Sequence, residues 1–442
     1  MLLGRVMARV RPRSSAFLAL VFSALCCATP QHATAPPAVV DADEVKCRDL
    51  MAALVAGSAD SAERDFDTTM RAKFPPPMLR STWHAFEARY GALSTWRVAK
   101  RDHPSGKDRF TLEATFGQQT MVVLVAFEPT SNQVIGMFFS AGSARKAQPE
   151  EGADPSAREI PVSVGPLGLG GSLMLPNETS SQRMPGALLI AGSGPNNRDE
   201  ALANLKPLKD LALGLAKRGI VTLRYDKRTF THPELFQNGK DTSVDDEVVS
   251  DAIAALALLR TRPEVDPDRV FVVGHSLGAL LAPEIAQRGG GVAGLVLLAA
   301  PGRPAEQILL EQLRNAGANA ADLTTLEAQV RDLPKLAAND LVWGVPAGYW
   351  RDLDRRDEMA IALELAKPVL LLRGALDRNV AAIDQDRWLA RLSGRVPVEA
   401  VTLPGLDHLF VPPGAETMTT VHISDEVSQR IATFIENAGG AH

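Results

Sequence analysis

The chain has 442 residues, of which 45% are hydrophobic and 22% are charged, as in soluble globular proteins. Its formal net charge is −5, and without residues 1–35, which carry four arginines and no acid, it is about −9. This acidic balance argues against nucleic acid and anionic membrane surfaces as partners. The length exceeds that of one small domain, so we expect two domains and processing segments.

Residues 1–35 have the pattern of a secretory signal peptide. Arginines precede an apolar segment, residues 17–28, that is too short to span a bilayer. We therefore expect export to the periplasm or medium, with no membrane segment after processing and the cleavage site left open. The lipid-anchor motif is poor, because Leu25 stands before Cys26 where a small residue is needed. The mature chain then keeps only Cys47, which excludes an intrachain disulfide framework and a cysteine-based metal site.

A short tether, residues 36–44, leads into a predicted small α+β domain, residues 45–142. Apolar residues at helical spacing predict a helix over residues 78–90, closed by Gly91. Alternating and continuous apolar runs between residues 110 and 139 then predict strands. Nothing in this domain indicates a chemical role.

After a predicted linker, residues 143–157, apolar runs alternate with helical segments through residues 158–442. The predicted strands cover residues 187–190, 221–223, 270–273, 294–298, 369–372 and 398–403. Strands separated by helices predict a mostly parallel, doubly wound sheet, with an antiparallel hairpin over residues 160–175 at its edge. Residues 301–367 predict a helical cap, in which Trp343, Tyr349 and Trp350 either line an acyl pocket or form the cap core.

The segment Gly274-His275-Ser276-Leu277-Gly278 lies between a predicted strand and a predicted helix. Glycines two residues before and two residues after Ser276 let the backbone turn sharply and pass close to its neighbours. A serine at the apex of such a turn is exposed above the sheet edge. Ser276 is therefore the predicted nucleophile.

Asp377 and His408 follow the next strands in the order that a catalytic triad on this type of sheet requires. Asp377 stands in a loop after the buried strand 369–372 and His408 in a loop after the strand 398–403, so both are expected at the same sheet edge as Ser276. The serine needs a base, here His408, and the base needs an acid to orient it, here Asp377. Asp407 is the second choice of acid. No metal or cofactor is expected.

A tetrahedral intermediate also needs backbone N–H groups that bind its oxyanion. Leu277, directly after the serine, is expected to supply one. The second is expected in the loop after residues 187–190, where the sequence reads Ala191-Gly192-Ser193-Gly194-Pro195. Proline has no N–H group, so Ser193 is the first choice of donor and Gly194 the second.

Three further segments accompany the serine motif: Gly192–Pro195 with Arg198-Asp199-Glu200, Leu223–Arg228, and Asp266–Val270, which runs into the motif. Together they resemble bacterial α/β hydrolases of the serine aminopeptidase and esterase group. The resemblance covers about residues 158–440 and implies the α/β-hydrolase fold with Asp377 and His408 in the triad. Residues 45–142 resemble a small uncharacterised domain found before such hydrolases. One departure is Ala191, where the group commonly has histidine.

These observations predict an exported serine hydrolase that cleaves carboxylic esters through an acyl-enzyme intermediate. The expected partner is a small-molecule ester or amide, and the oligomeric state is left open. A serine aminopeptidase and an envelope acyltransferase are alternatives with the same catalytic residues. An alternative of another class is a non-catalytic binding module on a hydrolase scaffold, which the intact serine, aspartate and histidine disfavour.

Overall fold

The computed structural model describes residues 42–103, 108–117, 119–141, 154–177, 182–202, 205–236, 243–315, 318, 320–413 and 421–439. The predicted signal peptide, residues 36–41 of the tether and residues 143–153 of the linker lie outside these residues. The first described helix begins at Ala42, within the last residues of the predicted tether.

Four helices precede a four-stranded antiparallel sheet in the N-terminal domain. The helices are α1 (Ala42–Val55), α2 (Ala59–Ala62), α3 (Thr68–Lys73) and α4 (Pro76–Tyr90). The strands, which pair in chain order, are β1 (Leu93–Asp102), β2 (Asp108–Phe116), β3 (Gln119–Phe127) and β4 (Val134–Ala141).

The sequence explains the bounds and the packing of these elements. Helix α4 starts with proline in its first turn, where the missing N–H costs nothing, and stops at Gly91, whose φ is +90°. Alternate residues of β2, from Phe110 to Phe116, are buried because successive side chains of a strand point to opposite faces. Trp83 of α4 packs against Phe116, with ring centroids 5.1 Å apart. The small α+β domain is therefore present.

An eight-stranded sheet forms the centre of the C-terminal domain. Its strands are β5 (Ala157–Val164), β6 (Leu169–Pro176), β7 (Met184–Ile190), β8 (Val221–Tyr225), β9 (Val265–His275), β10 (Gly294–Leu298), β13 (Val369–Gly374) and β14 (Val398–Leu403). The spatial order is β14-β13-β10-β9-β7-β8-β6-β5. Strands β5 and β6 form the antiparallel edge hairpin, β6 pairs antiparallel with β8, and the remaining pairs are parallel.

Helices cover both faces of this sheet. In β7, Leu188 and Ile190 pack into one core, and Ala187 and Leu189 into the other. The helices outside the cap are α5 (Pro207–Ala216), α6 (Arg228–Thr231), α7 (Ser250–Arg260), α8 (Leu277–Gly289), α13 (Ala382–Leu392) and α14 (Asp425–Gly439). Helices α7, α8 and α13 contribute to the first core, and α5 and α14 to the second. The predicted doubly wound sheet is confirmed.

Between β10 and β13 the chain forms the cap. It contains α9 (Ala305–Asn315), α10 (Ala320–Asp332), β11 (Leu341–Val342), β12 (Val345–Pro346), α11 (Ala347–Asp354) and α12 (Glu358–Leu365). The cap has its own apolar cluster, and Met78 of the N-terminal domain packs against that cluster. Arg80, which lies on α4 with Met78, forms a bidentate ion pair with Asp322 of α10. No described helix is long and apolar enough to cross a membrane.

Candidate active site

Ser276 lies at the turn between β9 and α8, with φ +52° and ψ −116°. Few non-glycine residues adopt a positive φ, and this one is held by a backbone hydrogen bond of 2.8 Å from its N–H to the carbonyl of Leu298. A Cβ on Gly274 would lie 2.2 Å from the Gly278 carbonyl oxygen, and a Cβ on Gly278 would lie 2.5 Å from that of Ile190. Both glycines are therefore required for the turn.

Asp377 and His408 meet at the carboxyl end of the sheet. His408 Nδ1 lies 2.8 Å from Asp377 Oδ2. Asp377 Oδ1 accepts the backbone N–H groups of Asn379 at 2.8 Å and Val380 at 2.9 Å. Burial by itself would raise the pKa of Asp377, but the hydrogen bonds and charge of His408 and these N–H groups outweigh it and lower the pKa.

Asp407, the second-choice acid, has a different role in the structure. Its Oδ1 accepts the backbone N–H groups of Leu409 at 2.9 Å and Val411 at 3.2 Å. These bonds shape the turn that carries His408. The geometry therefore favours Asp377 as the partner of His408.

The loop after β7 passes directly beside Ser276. A Cβ built on Gly192 would lie 3.3 Å from Ser276 Cβ, so only glycine fits without displacement. The Gly192 N–H donates to Glu200 Oε1 at 2.8 Å. The Gly192 carbonyl accepts from Lys227 Nζ at 3.2 Å and from Asn196 Nδ2 at 3.1 Å. In a trans peptide the carbonyl and the next N–H point in opposite directions, so the Ser193 N–H faces away from Lys227.

The residues after this loop fasten it to the sheet. Arg198 and Asp226 form an ion pair, with Nη2 and Oδ2 2.5 Å apart. Asp199 accepts from Arg224 Nε at 2.9 Å, and Arg224 is almost fully buried. Lys227 and Arg228, which follow Asp226, form ion pairs with Glu247 and Asp251.

Glu200 and His275 are not among the site residues predicted from the sequence. His275 is the variable residue of the serine motif, and Glu200 follows the glycine-rich turn, with no spacing rule that links the two. The structure places Glu200 Oε1 2.9 Å from His275 Nδ1, and both side chains are buried. The clue in the sequence is that both are ionisable residues next to predicted catalytic loops.

A pocket of about 520 Å³ opens above Ser276 between the sheet and the cap. Its wall is mostly apolar and includes Ser193, Leu277, Leu280, Ile308, Leu309, Val345, Tyr349, Trp350 and Leu353. Of the cap aromatic residues, Tyr349 and Trp350 line the pocket, whereas Trp343 packs in the cap core. The pocket is therefore lined by both the predicted nucleophile and the loop after β7, residues 191–195, which we call the oxyanion loop.

One side of the pocket is polar. The Glu247 carboxylate accepts from Lys227 Nζ at 2.5 Å and from the Tyr349 hydroxyl at 2.6 Å. Burial and the Glu247 charge raise the pKa of Tyr349, so its hydroxyl stays protonated and donates. Within the described residues, no group of three or more histidine, cysteine and acidic side chains is arranged to hold a metal ion.

Comparisons with known proteins agree with this architecture. The model of the alpha/beta hydrolase family matches residues 187–417. Esterase EstD of Thermotoga maritima is 35% identical over 338 residues, which cover 74% of this chain and 78% of the relative. Among solved structures, Est1E from Butyrivibrio proteoclasticus is 16% identical with a TM-score of 0.43, covering 63% of this chain and 98% of that one. A Mycobacterium tuberculosis puromycin-hydrolyzing peptidase is also 16% identical, with a TM-score of 0.47 and coverage of 76% and 52%. The chain belongs to the alpha/beta hydrolase family.

Proposed function

We propose that the protein is an exported serine esterase that hydrolyses carboxylic esters of small or medium acyl groups. The observation that carries the proposal is the Asp377–His408 hydrogen bond, together with the contact of His408 with His275, the residue before Ser276. Ser276 itself has a positive φ and lines an apolar pocket. The similarity to a protein named an esterase supports the ester class. Export rests on the signal-peptide pattern of residues 1–35.

In this proposal Ser276 Oγ attacks the ester carbonyl while His408 Nε2 takes the hydroxyl proton. Asp377 holds the His408 Nδ1 proton, so Nε2 is the nitrogen available as a base. The oxyanion that forms accepts the N–H groups of Leu277, at the start of α8, and Ser193. His408 then returns its proton to the leaving alcohol, and the acyl group stays on Ser276.

Deacylation repeats these steps with water as the nucleophile. His408 takes a proton from water, the resulting hydroxide attacks the acyl carbon, and the same N–H groups bind the second oxyanion. The acid leaves as His408 returns the proton to Ser276. The chain's own residues supply every proton transfer in this cycle.

The pocket favours an uncharged acyl group. A cavity of about 520 Å³ is large enough for a medium alkyl or aromatic group, and its apolar wall stabilises such a group by removing it from water. The Glu247 charge is already balanced by Lys227. A charged substrate would lose its hydration without gaining a free counter-charge at Glu247.

A serine aminopeptidase is the second candidate. The observation that favours it is the Glu247 carboxylate in the pocket wall, because an acidic side chain is a suitable partner for a substrate ammonium group. The esterase is preferred because both Glu247 oxygens already accept hydrogen bonds from Lys227 and Tyr349.

The first experiment compares p-nitrophenyl esters of increasing acyl length with aminoacyl p-nitroanilides, using the wild type and Ser276→Ala. We expect turnover of the short and medium esters, with kcat reduced at least about 10³-fold in Ser276→Ala. Turnover of the anilides alone would move the function to the aminopeptidase. Ester turnover that survives in Ser276→Ala would overturn the assignment of the nucleophile.

A further inference from the structure

We propose that Glu200 and His275 form a buried positioning pair that aligns the oxyanion loop and the His408 loop with Ser276. This inference rests on the proposed function, because alignment of these loops matters only if Ser276 is the nucleophile. Neither side chain contributes to the pocket wall. Both are thus assigned to positioning rather than to contact with substrate.

The hydrogen bonds of the pair connect three separate segments of the site. Glu200 Oε1 lies 2.8 Å from the Gly192 N–H and 2.9 Å from His275 Nδ1. His275 Nε2 lies 3.0 Å from the carbonyl oxygen of His408. One chain of bonds therefore runs from the oxyanion loop, through the residue before Ser276, to the backbone of the catalytic histidine.

The direction of each bond follows from its chemistry. A carbonyl oxygen only accepts, so His275 Nε2 carries a proton and donates to His408. Burial alone would lower the pKa of His275, but the charge and hydrogen bond of Glu200 outweigh it and raise the pKa. Burial alone would raise the pKa of Glu200, but the same interaction with His275 lowers it. With Nε2 protonated, one further proton lies between His275 Nδ1 and Glu200 Oε1, and both pKa directions favour the ion pair, in which Nδ1 donates.

The position of Glu200 is locally unfavourable, which indicates that tertiary contacts fix it. Its φ is +51°, a region that few non-glycine residues adopt. Both donors converge on Oε1, while Oε2 is buried with no hydrogen-bond partner in the described part of the chain. Because Gly192 and His275 share one acceptor atom, a displacement of either loop disturbs the other.

The connection also sets the orientation of the proposed oxyanion donor. Glu200 holds the N–H of Gly192, and Lys227 holds its carbonyl. The peptide before Gly192 is thus held by its N–H, and the peptide between Gly192 and Ser193 by its carbonyl, so that the Ser193 N–H points away from Lys227. Loss of the Glu200 bond would free the peptide before Gly192 and let the loop shift at this residue, and oxyanion binding falls steeply with such misalignment.

The test measures kcat and KM for p-nitrophenyl butyrate, and the rate of Ser276 labelling by a fluorophosphonate, in Glu200→Ala, Glu200→Gln and His275→Ala. We expect a loss of about 10²-fold or more in kcat and labelling rate for both alanine variants, with KM within about threefold. Glutamine keeps an oxygen that can accept from both the Gly192 N–H and His275 Nδ1, so Glu200→Gln should stay within about tenfold of wild type.

The control is Glu358→Gln, which replaces another buried carboxyl group, in a helix that packs on α8, and should leave both rates unchanged. Thermal unfolding identifies any alanine variant that does not fold. In that case kcat and the labelling rate of Glu200→Gln and His275→Gln test the positioning role instead. Wild-type kcat and labelling in a folded Glu200→Ala would overturn the inference, as would a raised KM with unchanged kcat. An inactive and unlabelled wild type would instead refute the proposed function.

Discussion

Asp377 shows how one buried carboxylate is kept in the charged state that the proposed triad requires. One oxygen bonds His408 and the other accepts two backbone N–H groups of its own loop. The backbone bonds fix the position of the carboxylate without competing for the histidine. Asp377 is therefore both ionised and oriented before any substrate arrives, which is the property that electrostatic catalysis needs.

Asp377→Asn is expected to lower kcat for p-nitrophenyl butyrate by about 10³–10⁴-fold. The asparagine amide would face His408 Nδ1 with a donor or a weaker acceptor, which favours the tautomer with its proton on the wrong nitrogen. Asp407→Asn is the matched comparison, because an asparagine oxygen can still accept from Leu409 and Val411. Equal losses in the two variants would contradict the choice of Asp377.

Some residues of the site are predictable from the sequence and others are not, for physical reasons. Ser276 and its glycines reflect a local backbone conformation, which a five-residue pattern records. Glu200 and His275 meet only through tertiary folding, since they are 75 positions apart and no periodicity links them. The residue roles predicted for Ser276, Asp377, His408, Leu277 and Ser193 remain predictions until the variants are measured.

At the scale of elements, the parallel strands are the most predictable part of the chain. Strands β7, β10 and β13 are buried almost throughout and appear in the sequence as apolar runs, whereas the edge strand β14 is only partly buried and includes the exposed residues Glu399 and Thr402. The cap is less predictable, because β11 and β12 are only two residues long and leave no periodic signal. The composition of residues 301–367 indicates helices but not which aromatic residues face the pocket.

The contact between α12 and α8 contains a carboxyl group whose protonation depends on pH. Glu358 Oε2 accepts the Glu284 N–H at 3.0 Å, and burial, with the nearby Glu284 charge, raises the pKa of Glu358 to about 8. The unfolded chain releases this proton near the ordinary pKa of 4.5. The folded state therefore binds more protons between these values, so stability falls as the pH rises from about 4.5 to 8.

Glu358→Gln is expected to flatten this dependence, because an amide stays neutral at every pH. From pH 5 to pH 8, the wild type should lose about 2–4 kcal/mol more free energy of unfolding than the variant. Urea denaturation of both proteins at the two pH values measures the difference. Parallel losses in wild type and variant would show that Glu358 ionises normally in the folded protein.

At the scale of the whole molecule, the small domain is joined to the cap that covers the pocket. Arg80 Nε lies 2.9 Å from Asp322 Oδ2, and the Asp322 side chain is only 5% exposed. Met78, on the same helix, packs on the cap cluster. Helix α4 thus makes a polar contact with the cap helix α10 and an apolar contact with the cap cluster.

Arg80→Ala is expected to loosen the cap. Without the guanidinium, the buried Asp322 carboxylate lacks part of its counter-charge, so α10 should open about tenfold more often. This corresponds to a loss of about 1.4 kcal/mol in the free energy of local opening. Hydrogen exchange of the amides of α10 measures this directly. Arg64→Ala is the control, because the ion pairs of Arg64 with Asp49 and Asp65 stay within the small domain. Unchanged exchange in Arg80→Ala would refute a bracing role.

The same ion pair has a reciprocal consequence, because linkage between two sites acts equally in both directions. If α4 favours the closed cap, then any molecule that binds only the closed cap must favour the ordered α4. An inhibitor held at Ser276 should therefore slow hydrogen exchange in a domain that it never touches. Under the same condition, a molecule that orders α4 would raise the affinity of the pocket for that inhibitor.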